Sequence, residues 1–79
     1  MITITHTNFE EALQLVREGK QRFVIPTYTK VTIINSKTVS GFEKAGYAVI
    51  KKDKDGKGFL VRSGKHHNYI FAGQLFMVD

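Results

Sequence analysis

Apolar and polar residues alternate with a helical period near the start of the chain. Four apolar side chains recur at intervals of three and four residues and share one helix face: Phe9, Ala12, Leu13 and Val16. Thr7 and Glu10 have the spacing of a capping box, as do Asn8 and Glu11 one position later. Gly19 is a natural left-handed residue for the helix end. The pattern predicts an amphipathic helix between these signals.

Strand-forming residues precede and follow this helix. Met1–Thr5 alternates apolar and β-branched residues, which predicts a short strand. The run from 22 to 35 is also β-prone, but Pro26 cannot donate a hydrogen bond to a sheet. We expect the proline to split this run or to hold it at a sheet edge. Beyond it, Val31 and Ile33 share one face while Tyr28, Lys30 and Thr32 share the other, and the alternation predicts one buried and one solvent-exposed face.

A second, shorter helix is predicted between residues 35 and 46. Ser36 is its expected N-cap, and Gly46 is expected to end it. Val39 and Phe42 supply an apolar edge. Gly41 lies inside this helix and weakens it by about 1 kcal/mol relative to alanine.

The next segment has the pattern of a β-hairpin. Tyr47–Lys51 and Gly58–Arg62 flank Asp53-Lys54-Asp55-Gly56, and an Asp-Gly pair favours a tight turn with positive φ. A loop of even length puts four residues on the expected core face: Ala48, Ile50, Phe59 and Val61. The opposite face then mixes apolar and basic residues: Tyr47, Val49, Lys51, Leu60 and Arg62.

The last part of the chain predicts a polar turn over 63–68, a strand over 69–72 and a break at Gly73-Gln74. Residues 75–78 then form a short strand or a docked tail. The order of elements predicts a single α+β domain spanning 1–79, with two helices packed on a curved, mainly antiparallel sheet of about five strands. Closure of the sheet into a small, partly open barrel is the alternative, because short strands need their edges covered.

Composition narrows the class of protein. The chain has 79 residues, no cysteine and a formal net charge of +5. It lacks both a disulfide framework and a thiolate metal site, and no apolar run reaches the ~20 residues of a membrane helix. The N-terminus lacks the pattern of a signal peptide. We therefore expect a cytoplasmic protein that does not contact membranes and is attracted to acidic partners.

Two motifs resemble metal sites. Asp53–Gly64 imitates the opening of a calcium-binding EF-hand loop, but Lys57 and Gly64 stand where oxygen ligands are required. His66 and His67 are adjacent, so they point to opposite sides of an extended segment, and His6 is distant. We interpret the first motif as a plain β-turn and the three histidines as residues of surface turns. No metal and no cofactor are predicted.

Catalytic patterns are not visible either. The acidic residues are explained by the helix cap and the hairpin turn, so the sequence offers no general acid–base pair. It has no phosphate-binding glycine motif in a helical context. The chain is therefore predicted not to be an enzyme.

The basic hairpin region is the predicted partner-binding site. Positive charge is concentrated in two turns and the strand ends between them, with two tyrosines nearby as stacking surfaces. The predicted residues are Lys51, Lys52, Lys54, Lys57, Arg62, Lys65, His66, His67, Tyr47 and Tyr69. Basic surfaces with aromatic platforms are typical of proteins that bind single-stranded nucleic acid. Phe59, Phe71 and Phe76 are assigned to the core.

The first helix carries a resemblance to known proteins. The run from Asn8 to Lys20, NFEEALQLVREGK, is similar to the start of several small phage-encoded proteins. Among them are anti-defence proteins of the Thoeris anti-defence type, which sequester a signalling nucleotide. The resemblance implies a compact phage accessory protein without catalytic residues, acting in the cytoplasm of the host cell.

Three functions follow as hypotheses. The first is a non-enzymatic protein that modulates or inhibits a host macromolecule by direct contact, with an acidic host protein as the favoured partner. The second is a module that binds single-stranded DNA or RNA through the same basic hairpin. The third is a protein that sequesters a small nucleotide.

Overall fold

Two antiparallel sheets and two helices form the fold in the computed structural model, which describes residues 1–26, 30–63 and 66–79. The elements in chain order are β1 (Ile2–Thr3), α1 (Phe9–Arg17), β2 (Arg22–Pro26), β3 (Val31–Ile34), α2 (Ser36–Lys44), β4 (Ile50–Lys52), β5 (Gly58–Ser63), β6 (His66–Phe71) and β7 (Phe76–Val78). The first sheet has the strand order β1-β7-β2-β3, and the second has the order β4-β5-β6. The α+β class and the two helices are confirmed. The strands are divided between two sheets, however, and these do not close into a barrel within the described residues.

Helix α1 buries the stripe that the sequence predicts, but its start differs. Its four apolar residues are all buried, as expected. The N-cap is Asn8, whose side chain does not cap the helix, so both predicted capping boxes are wrong. The Asn8 Oδ1 atom instead accepts a hydrogen bond from the Thr5 N–H at 2.8 Å. The asparagine thus stabilises the turn before the helix.

Both helices end in the same hydrogen-bonded motif. Gly19 and Gly46 have φ angles of 78° and 87°, in the left-handed region that favours glycine. The Lys20 N–H donates to the Leu15 carbonyl at 3.1 Å, and the Tyr47 N–H donates to the Phe42 carbonyl at 2.9 Å. These are the long bonds of Schellman motifs, and they confirm the predicted helix ends.

The start of helix α2 differs from the prediction by one residue. Asn35, rather than Ser36, is the N-cap, and its Oδ1 accepts from the Thr38 N–H at 3.1 Å. Val39 is buried and Phe42 is partly buried, which confirms the apolar edge. An Arg17–Glu43 ion pair of 2.9 Å joins the two helices at the surface.

Strand β3 packs its Ile34 side against the core, although the pattern suggests the side of Val31 and Ile33. Val31 and Ile33 are 58% and 50% exposed, whereas Ile34 is buried. The register explains this, because Ile34 pairs with the buried Phe23 of β2. A period of two identifies two faces but does not say which one is covered. Pro26 ends β2, so the proline splits the β-prone run, which is one of the two predicted alternatives. The predicted facing of Tyr28 concerns a residue outside the described part of the chain.

The first and last strands form the least predictable part of the first sheet. Strand β1 is shorter than the predicted Met1–Thr5, and Ile4, just beyond it, is buried while Ile2 is half exposed. The Ile4 N–H still donates to the Leu75 carbonyl at 2.8 Å. Strand β7 lies between β1 and β2, so the C-terminal segment is a strand in the sheet interior rather than a docked tail.

The β4–β5 hairpin agrees with the prediction except at its first residues. The Asp53 N–H donates to the Gly58 carbonyl at 3.0 Å, and Gly56 has a φ of 72°. Three predicted core residues are buried: Ile50, Phe59 and Val61. Val49 is buried and Ala48 is exposed, contrary to the prediction. Strand β4 begins only at Ile50, so its alternation does not extend back to these residues.

Strand β6 begins earlier than predicted. It starts at His66 and pairs with β5 as far as Phe71, so the polar turn expected over 63–68 is too long. Its inner face buries Ile70. A short 3-10 turn at Ala72–Gln74 confirms the break before β7. No helix among the described residues is long and apolar enough to cross a membrane.

The two sheets meet at helix α1. The ring of Phe9 lies 6.1 Å from that of Phe23 in β2 and 5.1 Å from that of Phe59 in β5. All three rings are essentially buried. Phe9 therefore connects the cores of the two sheets.

Replacing Gly41 by alanine is expected to stabilise the protein. Gly41 lies inside α2, and a Cβ built there meets no atom within 4 Å. We expect Gly41→Ala to raise the free energy of unfolding by about 1 kcal/mol, because alanine costs less backbone entropy in a helix. The matched change Gly46→Ala should lower it by about 1–2 kcal/mol, because φ is positive there. Urea denaturation of both variants tests this; equal shifts in both variants contradict it.

Replacing Gly58 by alanine is expected to damage the second sheet. A Cβ at Gly58 would clash with the carbonyl oxygen of Ile70 and lie 2.9 Å from the ring of Tyr69. We expect Gly58→Ala to lower the free energy of unfolding by about 1–3 kcal/mol, because strands β5 and β6 must separate. Chemical denaturation measures the loss, and an unchanged midpoint would refute this packing.

Candidate functional site

One face of the β4-β5-β6 sheet is directed away from the core, and we call it the outer face. Strand register places seven residues on it: Lys51, Gly58, Leu60, Arg62, His67, Tyr69 and Phe71. Lys51, Leu60 and Tyr69 lie side by side across the three strands, and Arg62 is paired with His67. The outer face thus combines apolar, aromatic and basic side chains.

An exposed aromatic pair occupies one end of the outer face. Tyr69 and Phe71 are 41% and 62% exposed, and their rings meet edge to face with 5.3 Å between centroids. The Tyr69 ring also lies against Gly58 of the neighbouring strand β5, where the glycine has no side chain to obstruct it. Assignment of Phe71 to the core is therefore wrong. Its position two residues after Tyr69 was the signal, because residues two apart in a strand share a face.

Arg62 and Tyr47 form the other end of the outer face. The guanidinium carbon of Arg62 lies 4.4 Å from the ring centroid of Tyr47, which is a cation–π contact. Tyr47 itself is 52% exposed. The Nε atom of Arg62 is buried and has no hydrogen-bond partner within the described residues. Arg62 thus contacts the Tyr47 ring while its Nε atom has no described hydrogen-bond partner.

A groove of about 700 Å³ adjoins this end, between the outer face and helix α2. We call it the α2 groove. The described residues that line it are Lys37, Thr38, Gly41, Phe42, Ala45, Tyr47 and Arg62. They include two basic residues and no acidic one. Its electrostatic character is therefore positive.

The structure divides the ten residues predicted for the site. Five lie on or beside the outer face: Tyr47, Lys51, Arg62, His67 and Tyr69. Register places Lys52 and His66 on the opposite face. Lys54 and Lys57 belong to the turn between β4 and β5, and Lys65 lies outside the described residues. The predicted residues that the structure brings together therefore lie on a strand face rather than at the hairpin tip, and this face is the candidate site.

Local acidic residues balance much of the charge predicted for the tip. Lys54 and Lys57 share the turn with Asp53 and Asp55, so the formal charge of this five-residue turn is zero. Partial desolvation, followed by the carboxylates of Asp53 and then Asp55, raises the pKa of Tyr69. Lys52 forms a 3.6 Å ion pair with Glu10 of helix α1. The turn therefore adds no net positive charge to the candidate site, and the charge of Lys52 is paired.

His6 differs from the surface turn histidine that the sequence suggests. It is half buried, and its Nε2 donates to the Gly58 carbonyl at 2.6 Å, since a carbonyl oxygen only accepts. Its ring lies 5.1 Å from that of Phe59. His6 therefore connects the segment before helix α1 to the second sheet. His66 and His67 are exposed, and no group of three potential metal ligands occurs among the described residues.

The outer face presents groups that can make non-covalent contacts with a partner. Flat rings, a guanidinium in contact with a tyrosine ring and an exposed lysine offer stacking, charge and hydrogen bonding to one partner. The chain matches no protein-family model, and no curated protein or solved structure matches it significantly.

Proposed function

We propose that this protein is a non-enzymatic binding protein that holds single-stranded nucleic acid on its outer face. The observation that carries the proposal is the exposed Tyr69–Phe71 pair, on the same sheet face as Lys51, Arg62 and His67. Bases that are not paired expose their flat faces, which stack on aromatic rings, while lysine and arginine neutralise the phosphates. We place its action in the cytoplasm.

The dimensions of the outer face suit a short segment of a single strand. Strand β6 runs from His67 to Phe71 on this face, which is about 13 Å at the usual rise per residue. Sheets that bind RNA stack two or three bases on such a surface. A duplex keeps its bases stacked on one another, so it has no free base faces to offer these rings. We therefore expect single strands to bind more tightly than duplexes.

The acidic host protein that the sequence favours remains the alternative partner. The exposed aromatic pair is what shifts the proposal to nucleic acid, because a single strand offers successive flat bases to adjacent rings together with phosphates for the basic residues. In a phage-type accessory role, binding alone would modulate the host, since an occupied strand is blocked for other factors. The nucleotide-sequestering alternative would instead raise the melting temperature when a specific free nucleotide is added.

The aromatic pair is expected to carry sequence-tolerant affinity. We expect Phe71→Ala to weaken binding of a labelled oligothymidylate or oligouridylate by about 1–3 kcal/mol, the usual loss for one stacked base. Val31→Ala is the matched control, because Val31 is a similarly exposed apolar residue in the other sheet. Fluorescence anisotropy measures both. Failure of the unmodified protein to bind any single strand at low salt excludes the proposed function.

The basic residues are expected to set the salt dependence. When a protein binds a single strand, the logarithm of its affinity falls as the logarithm of the salt concentration rises. Each phosphate contact contributes about 0.7 to the steepness of this slope. We expect Lys51→Gln to reduce the slope by about this amount, and Lys44→Gln, which makes the same charge change on helix α2, to leave it unchanged. Anisotropy titrations over a salt series measure the slopes. Equal slopes for the two variants would show that charge acts without regard to position.

A further inference from the structure

The α2 groove continues the outer face beyond Arg62. Arg62 belongs to both, because it is paired with His67 on the sheet and lines the groove beside helix α2. We infer that the α2 groove binds a backbone phosphate of the nucleic-acid strand. This inference rests on the proposed function and extends it, because it gives the strand a path from Phe71, across β5, to helix α2.

The charge of the groove selects an anion. Lys37 and Arg62 line it, and none of its described lining residues is acidic. Lys37 makes no ion pair within the described part of the chain. The nearest acidic residue along helix α2 is Glu43, and the 2.9 Å ion pair with Arg17 holds it against helix α1. An incoming anion therefore meets two cations whose charge is not already neutralised in the groove.

Arg62 is the residue that would anchor a phosphate in the groove. Its guanidinium carbon lies 4.4 Å from the ring centroid of Tyr47, and this cation–π contact limits the positions that the side chain can take. Since its Nε atom is buried, the two terminal nitrogens are the donors that remain for a ligand in the groove. They can donate to two phosphate oxygens at once, in the bidentate arrangement that arginine favours.

Room in the groove permits a phosphate with its attached sugar. The volume of about 700 Å³ lies within the usual range for ligand sites. Gly41 lines the groove with no side chain, and space above it is open. Phe42 and Ala45 supply apolar contacts next to the charged end. The groove thus suits a sugar–phosphate unit better than it suits a bare anion.

Gly41 provides a test that leaves the outer face intact. Gly41→Glu puts a carboxylate into the α2 groove, and Gly41→Gln puts an uncharged group of the same size there. Both side chains have open space, so both variants are expected to fold, which a thermal melt followed by circular dichroism checks. The probes are labelled oligothymidylate and oligouridylate, added to the full chain at low salt.

We expect Gly41→Glu to weaken binding about tenfold or more relative to Gly41→Gln, because the two side chains fill the groove equally and only the glutamate repels a phosphate. Lys37→Gln should reduce the salt slope by about 0.7. Equal affinities for the two Gly41 variants, with the unmodified protein binding normally, would overturn the groove inference while leaving the proposed function in place. No binding by the unmodified protein would overturn both. Binding of an acidic peptide in place of the oligonucleotides would reassign the groove to a protein partner.

Discussion

The contact of Phe9 with Phe23 and Phe59 is the constraint on which the rest of the structure depends. Each sheet has only three or four short strands, and a sheet of this size needs a covered apolar face to be stable. Helix α1 supplies that cover, because its ring at position 9 touches one core residue from each sheet. A chain of 79 residues without cysteine has little stability to spare. The two sheets therefore depend on the same helix.

This arrangement determines which surface is available for a partner. The inner face of the second sheet buries Ile50, Phe59 and Ile70 against the core. Since side chains alternate along a strand, the residues between them must face outward. Leu60, Tyr69 and Phe71 lie on that outward side, although they are apolar or aromatic. The register places these side chains on the outward face even though they are apolar or aromatic. The outer face therefore carries apolar and aromatic groups beside its basic ones.

Local patterns were sufficient to predict the elements, but contacts between distant segments were not. The stripe of helix α1, the two glycine helix ends and the Asp-Gly turn are signals contained within a few residues, and all are confirmed. The division into two sheets depends on β7 entering between β1 and β2, a pairing of the two chain ends. No periodicity within a strand encodes that choice. The same reason explains Val31 and Ile33, whose exposed side is set by their partner strand.

The candidate site shows the same limit at the level of single residues. Charge and aromatic content alone indicate five residues that the structure brings to one sheet face: Tyr47, Lys51, Arg62, His67 and Tyr69. Residue type alone assigns Phe71 to the core, because phenylalanine is usually buried, but its side chain is 62% exposed. Lys37 and Gly41 lie on helix α2, far along the chain from the hairpin, so only the packing of that helix brings them next to Arg62. The density of lysines along the sequence also overestimates the positive charge of the hairpin turn, because aspartates alternate with the lysines there.

Gly58 explains how the core fixes the shape of the outer face. Its carbonyl accepts two hydrogen bonds, from the Asp53 N–H and from Nε2 of His6, and both hold the start of β5 in place. On the other side of the same residue lies the Tyr69 ring, which approaches so closely because no Cβ intervenes. The ring therefore rests on backbone that is anchored from the core side. A surface held in this way loses little conformational freedom when a partner binds, so more of the stacking energy remains as affinity.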